Sequence, residues 1–177
     1  MAEEVVLVNE SDEPVGISDK LDAHREALLH RAFSVFIFNS KGEMLLQQRA
    51  LNKYHSGGLW TNACCSHPRP GEEPLEGAQR RLMEELGFSI PLQKAFEFIY
   101  RTDFANGLTE FEYDHVFIGK YDGEIVPDKN EIIDYCFKSP ADIGEGMLTH
   151  PHKYTEWFKI AFPRLEQWLQ TITRPAF

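Results

Sequence analysis

An α+β fold, a mixed β-sheet sandwiched between helices, is predicted by three features of the sequence. Two apolar runs, AFSVFIF and EMLLQQR, flank an NSKG turn and read as a β-hairpin over 32–49. The segment PLEGAQRRLMEEL sets Leu75, Ala78, Leu82 and Leu86 three and four residues apart, the period of an amphipathic helix. Further strand-like runs follow, and the chain ends in helical pattern, an order suited to a sheet covered by helices.

Along the chain, EVVLV at 4–8 reads as a strand and NESDEPVG at 9–16 as a turn. Residues 19–30 read as a short helix or ordered loop. After the hairpin come a long loop, ALNKYHSGG, and a short strand near 60–65. The helix over 74–86 starts at Pro74, a residue suited to a first helical position, and stops at Gly87. Its arginines and glutamates pair one turn apart, Arg80 with Glu84 and Arg81 with Glu85. Strands are expected near 94–101, 110–121 and 131–137, then helices over 152–163 and 163–172.

A chain of 177 residues suits one domain, here taken as 1–177. No apolar run reaches membrane-spanning length, and the acidic N-terminus has the wrong polarity for a secretory signal. Three cysteines, two of them adjacent, argue against a disulfide framework and for a reducing, cytoplasmic setting. The net charge of −10, without a basic cluster, argues against nucleic acid as partner. An anionic substrate then requires a bound cation and a few placed basic side chains. The oligomeric state is open, with a monomer favoured.

The stretch WTNACCSHPRPGEEP raises the chemical question. Cys64, Cys65 and His67 fit zinc ligation, a catalytic thiol or simple packing. In an extended segment Cys65 and His67 share a face and Cys64 points away, which makes joint zinc ligation awkward. Cys64 and Cys136 read as small buried hydrophobes. Farther on, LTEFEYDHVF sets Glu110 and Glu112 on one strand face, opposite Phe111, Tyr113 and Phe117. If the fold gathers His24, His30 and His67 against that face, the mixed N/O set suits Mg²⁺, Mn²⁺ or Zn²⁺. Singly, each histidine reads as a surface or hydrogen-bonded residue, and the glutamates as a solvated face.

The stretch from Ser66 to Phe88 resembles the Nudix box, a loop and helix whose glutamates hold divalent metal against a diphosphate. Glu72, Arg80, Leu82, Glu84, Glu85, Gly87 and Phe88 fall on its positions. Ser66 stands where the box begins with glycine, and Arg81 where a metal-binding glutamate belongs. Losing that carboxylate suits a pyrophosphohydrolase poorly, since hydrolysis relies on a tight carboxylate cluster around the metals. A guanidinium there can instead touch a diphosphate.

Together, LLHRAFSVFIFNSKGEMLLQQRA, WTNACCSHPRPGE and the EFE segment resemble the type 1 isopentenyl-diphosphate Δ-isomerases, Nudix-superfamily enzymes, from about residue 4 to Trp157. The resemblance implies a Nudix-like sandwich. The implied activity interconverts isopentenyl and dimethylallyl diphosphate in isoprenoid biosynthesis. It implies Cys65 as catalytic thiol and Glu112, with Tyr100 beside it, as the acid/base opposite. His24, His30, His67, Glu110 and Glu112 are the implied metal ligands, and Glu85 the ligand of a Mg²⁺ that bridges to the substrate. Lys20, Arg49, Lys53 and Arg81 are the implied diphosphate contacts, and Trp157 the aromatic face for a carbocation. Two rivals are a nucleotide-cleaving Nudix hydrolase and a non-catalytic metal- or nucleotide-binding module. Arg81 and the Cys65/His67 pair favour the isomerase over both.

Overall fold

A computed structural model describes residues 3–173. Nine strands and four α-helices run in the order β1 (Glu4–Val8), β2 (Pro14–Asp19), α1 (Lys20–Arg25), β3 (His30–Phe38), β4 (Met44–Arg49), β5 (Trp60–Thr61), β6 (Cys64–Ser66), α2 (Pro74–Leu86), β7 (Gln93–Asp103), β8 (Thr109–Lys120), β9 (Ile132–Lys138), α3 (Pro140–Thr149) and α4 (Glu156–Thr173). The α+β class is as the sequence predicts, and no helix among the described residues is long and apolar enough to cross a membrane.

The central element is β3, which pairs parallel with β8 on one edge and antiparallel with β6 on the other. β7 extends this ladder beyond β8. The expected β3–β4 hairpin closes at a single pair, Phe38 with Met44, and its strands then part. β4 instead lies between β9 and β5. Both strands are buried almost throughout, which a two-stranded ribbon with a solvated face cannot provide. Each therefore takes its own ladder partners.

Alternation along β3 divides the core. Phe33, Val35 and Ile37 pack with Cys64 and with Ala78, Leu82 and Leu86 of α2. Phe36 faces the other way, into Val116 and the Phe158, Phe162 and Leu165 face of α4. Leu75, placed on the inner face of α2 by its spacing, is exposed. Gly87 ends that helix in the left-handed region at φ 76, as its position suggested. The two helices expected on either side of Pro163 form one helix through it. A mid-helix proline costs about 3 kcal/mol, whereas burying Phe158, Phe162 and Leu165 returns roughly 1.5–3 kcal/mol each.

Two elements escaped the sequence reading. β2 occupies 14–19, its first half read as turn, because this edge strand leaves Val15 and Ile17 exposed and shows no buried face. α3 buries only Ile143, although the Ser139 cap before Pro140 marks its start.

Candidate active site

β6 settles which cysteine faces the cleft. Its register sets Cys65 beside Ser34 and Cys64 beside Val35. Cys64 is wholly buried on the α2 side, while Cys65 turns to the other face and joins His67 in a pocket. The Asn62 amide donates to the carbonyls of Val35 and Cys64, at 3.0 and 3.1 Å, which aims its Oδ1 at the Cys65 sulfur 3.1 Å away. The thiol therefore donates to Asn62. Ser34 Oγ lies 3.4 Å from the same sulfur and 2.7 Å from the buried Asp114 carboxylate. Burial, and the Asp114 charge after it, push the Cys65 thiol far above its ordinary range.

On the opposite edge of β3, β8 places Glu112 beside His30 and across from Tyr100 of β7. Glu110 lies two residues earlier on the same face. Asp19 caps α1 and presents His24 from its last turn, and His67 follows β6 directly. One ligand atom from each of His24, His30, His67, Glu110 and Glu112 lies within 4.8 Å of the others, and all five residues are buried. The fold thus gathers the five residues expected as metal ligands.

The hydrogen bonds show what this group lacks. His24 Nδ1 donates to the Lys20 carbonyl at 2.6 Å, so its Nε2 faces Glu110 Oε2, 3.1 Å away, with a lone pair unless the ring carries a second proton. His30 Nδ1 donates to the Leu28 carbonyl at 2.8 Å, and its buried Nε2 has no hydrogen-bond partner. Lone pairs aimed at carboxylates call for a cation between them, and the donor set fits a divalent metal. Burial raises the Glu112 carboxyl, as does Glu110, but the His30 and His67 rings beside it more than offset this and hold it below its usual value. Glu112 Oε1 lies 2.8 Å from His67 Nε2, and its Oε2 accepts from Tyr100 Oη at 2.6 Å.

The basic residues ring the mouth, and most are already paired. Lys20 contacts Glu3 at 2.9 Å, and Lys53 pairs with Glu131. Arg81 spans Glu84 at 2.7 Å and Glu85 at 2.5 Å, and Glu85 also accepts from Gln47 at 3.0 Å. Glu72 is spent on Arg80, which grips both its oxygens at 2.7 and 2.8 Å. Arg49 stacks 5.0 Å from the centre of the ring of Trp157, a buried residue in the first turn of α4. Of the thirteen residues singled out from the sequence, all but His24 and His30 line one pocket, and those two lie beneath it.

The sequence reading missed four contributors. Ser34 on β3 and Asn62 in the turn before β6 hold the Cys65 sulfur, Asp114 on β8 holds Ser34, and nothing in their local pattern announces this. His55 lies in the loop after β4, buried, with Nε2 donating to Glu110 Oε1 at 2.7 Å. Its ring stacks on Phe104 at 4.6 Å and meets Trp157 edge-on at 5.4 Å.

This sheet, the box helix and the buried glutamates define a Nudix domain, and residues 28–159 match the family model described as NUDIX domain. A MutT protein from Methanosarcina mazei shares the fold at a TM-score of 0.66 and 21% identity, over 82% of this chain and 96% of that one. A MutT Nudix hydrolase from Burkholderia pseudomallei does so at 0.59 and 21%, over 76% and 96%. Sequence similarity is closer to a narrower set. Isopentenyl-diphosphate Delta-isomerase 2 of Photorhabdus laumondii is 46% identical over 97% of this chain and all of its own. The isopentenyl-diphosphate Delta-isomerase of Burkholderia multivorans is 45% identical, over 95% and 98%, and that of Pectobacterium atrosepticum 47%, over 94% and 93%. The chain belongs to the isopentenyl-diphosphate Delta-isomerase family of the Nudix superfamily.

Proposed function

We propose that this chain, acting as one cytoplasmic domain, interconverts isopentenyl and dimethylallyl diphosphate in isoprenoid biosynthesis. One observation carries the reading: a thiol and a carboxylate enter one pocket from strands on opposite edges of β3. Moving a double bond by one carbon needs a proton added at one carbon and another removed from its neighbour's neighbour. Two groups on either side of a flat alkene do this without turning the substrate.

The resting states support a division of roles. Cys65 is held as the thiol and is the donor to the terminal carbon; Glu112, held ionised, takes the proton from the carbon nearer the diphosphate. The products are a thiolate and a protonated carboxyl; after product leaves, both exchange protons with solvent, which restores the thiol and the carboxylate for the next turnover. Tyr100 holds Glu112 Oε2 and steadies it against rotation. Protonating the alkene creates a tertiary cation, and the buried Trp157 ring fits as the face that stabilises it and excludes water. His24, His30, His67, Glu110 and Glu112 would hold a divalent ion, Mn²⁺, Mg²⁺ or Zn²⁺, and Glu85 would hold Mg²⁺ against the diphosphate. When bound, these ions supply positive charge beside the carboxylates and the substrate's phosphates. Lys20, Arg49, Lys53 and Arg81 bind the diphosphate itself. Arg81, standing in place of a carboxylate, speaks against hydrolysis.

The test is purified protein with Mg²⁺ and isopentenyl diphosphate, followed by NMR. Dimethylallyl diphosphate without phosphate release is expected. Release of phosphate, or of nucleoside monophosphate from nucleotide substrates, with no isomer formed would overturn the reading.

A further inference from the structure

His55 stands apart from the five clustered ligands yet touches one of them. Its Nε2–H takes Glu110 Oε1, while Glu110 Oε2 faces His24 and the interior of the group. Pinned in this way, Glu110 offers the group a single oxygen. The same histidine belongs to the loop joining β4 to β5, which carries Lys53. That loop is tightly folded: Ser56 and Gly58 both have positive φ, and Gly58 N donates to the Arg49 carbonyl at 3.0 Å. Its outer side is tied to the β7–β8 turn, by the His55–Phe104 stack and by Asn106 Nδ2 donating to the Tyr54 carbonyl at 3.2 Å. The His55–Glu110 bond joins that loop directly to the metal group.

We propose that His55 is a positioning residue: it fixes Glu110 for metal and couples the Lys53 loop to the metal group, so that filling the group orders the loop. The proposal rests on the metal reading of the His/Glu group given above. Two physical points support it. Partners that orient a ligating carboxylate typically contribute 10- to 100-fold in metal affinity. A coupling between two sites is reciprocal, so a loop that settles Glu110 is itself settled when Glu110 is engaged. Phe104 and Trp157 hold the His55 ring against Glu110, the contact through which the loop and the metal group settle together.

The experiment uses Mn²⁺ as probe on the full chain, titrated by EPR, with hydrogen exchange of the amides at 51–58 measured with and without the ion. The wild type should bind Mn²⁺ and gain protection in the loop. His55→Phe keeps a stacking ring but has no N–H; it should bind 10- to 100-fold more weakly and lose the metal-dependent protection. His55→Gln keeps a donor and should recover most of the affinity. Equal affinity in wild type and His55→Phe, equal losses in both variants, or a loop indifferent to Mn²⁺ in the wild type would each overturn the proposal. A wild type that binds no Mn²⁺ would overturn the metal reading and this inference together, leaving the isomerase assay to stand by itself.

Discussion

Replacing the two adjacent cysteines in turn should produce opposite effects on stability and activity. Cys64 is fully buried among Phe33, Leu82 and Leu86, so Cys64→Ala opens a sulfur-sized gap in close-packed surroundings. Such a loss costs roughly 1 kcal/mol. In a chain of 177 residues this lowers the melting temperature by about 2–4 °C. Cys65→Ala should cost less. Asn62 Oδ1 still accepts from Thr61 Oγ1 at 2.9 Å, and Ser34 keeps its bond to Asp114 at 2.7 Å, so no buried polar atom is stranded. Activity should run the other way. Removing a general acid lowers kcat by roughly 10²–10⁴-fold, and only Cys65 faces the pocket. Thermal melts and isomerisation kinetics on both variants give the four numbers. Equal loss of turnover in two folded variants, or a Cys65→Ala protein destabilised more than Cys64→Ala, would refute the argument from strand parity.

Glu112→Gln should retain much of its metal, since an amide oxygen still coordinates, yet lose nearly all turnover; kcat measured beside bound metal decides this. Tyr100→Phe removes the 2.6 Å bond to Glu112 and should slow kcat by about tenfold without abolishing it, because it orients rather than carries the reacting proton. His67→Ala should lose tightly bound metal by elemental analysis, and unchanged content would remove His67 from the ligand set. Gly57→Ala should raise KM with little change in kcat. A Cβ at Gly57 would stand 2.5 Å from the Leu51 carbonyl oxygen, forcing the Lys53 loop to move.

Whatever depends on short periods was legible in the sequence. The helix from Pro74 to Leu86, the two-residue step from Glu110 to Glu112 and the opposed Cys64 and Cys65 all follow from local alternation. What depends on pairing at a distance was not. The AFSVFIF and EMLLQQR runs look like a hairpin because they are adjacent, but each is buried on both faces and belongs to a different ladder. β2 pairs through its backbone and buries no side-chain face, so it leaves no pattern to find. The site divides in the same way. Histidines and glutamates stand out as types, whereas Ser34 meets Cys65, and Asp114 meets Ser34, only when three strands are laid side by side. His55 carried a signal in its type, but its loop has no periodicity to say which way the ring turns.

An acidic protein that takes an acidic substrate must keep its cations in place before the substrate arrives. Here most of them are held by carboxylates: Lys20 by Glu3, Lys53 by Glu131, and Arg81 by Glu84 and Glu85. Lone cations crowded at a half-buried mouth would repel one another, and desolvation would oppose their charge. Pairing removes that cost and fixes long side chains in extended positions. Under the proposed reading, loading is an exchange of partners: the diphosphate takes over the cations, and the released Glu85 turns to metal. Arg81 is central to this exchange because it occupies the position where the Nudix box carries another carboxylate. A carboxylate there would face Glu84, Glu85 and Glu131 at once and call for more metal, the arrangement that favours attack by water. A guanidinium satisfies the same three acids without metal, and under the proposed reading would hold the diphosphate in a setting poorly equipped to cleave it.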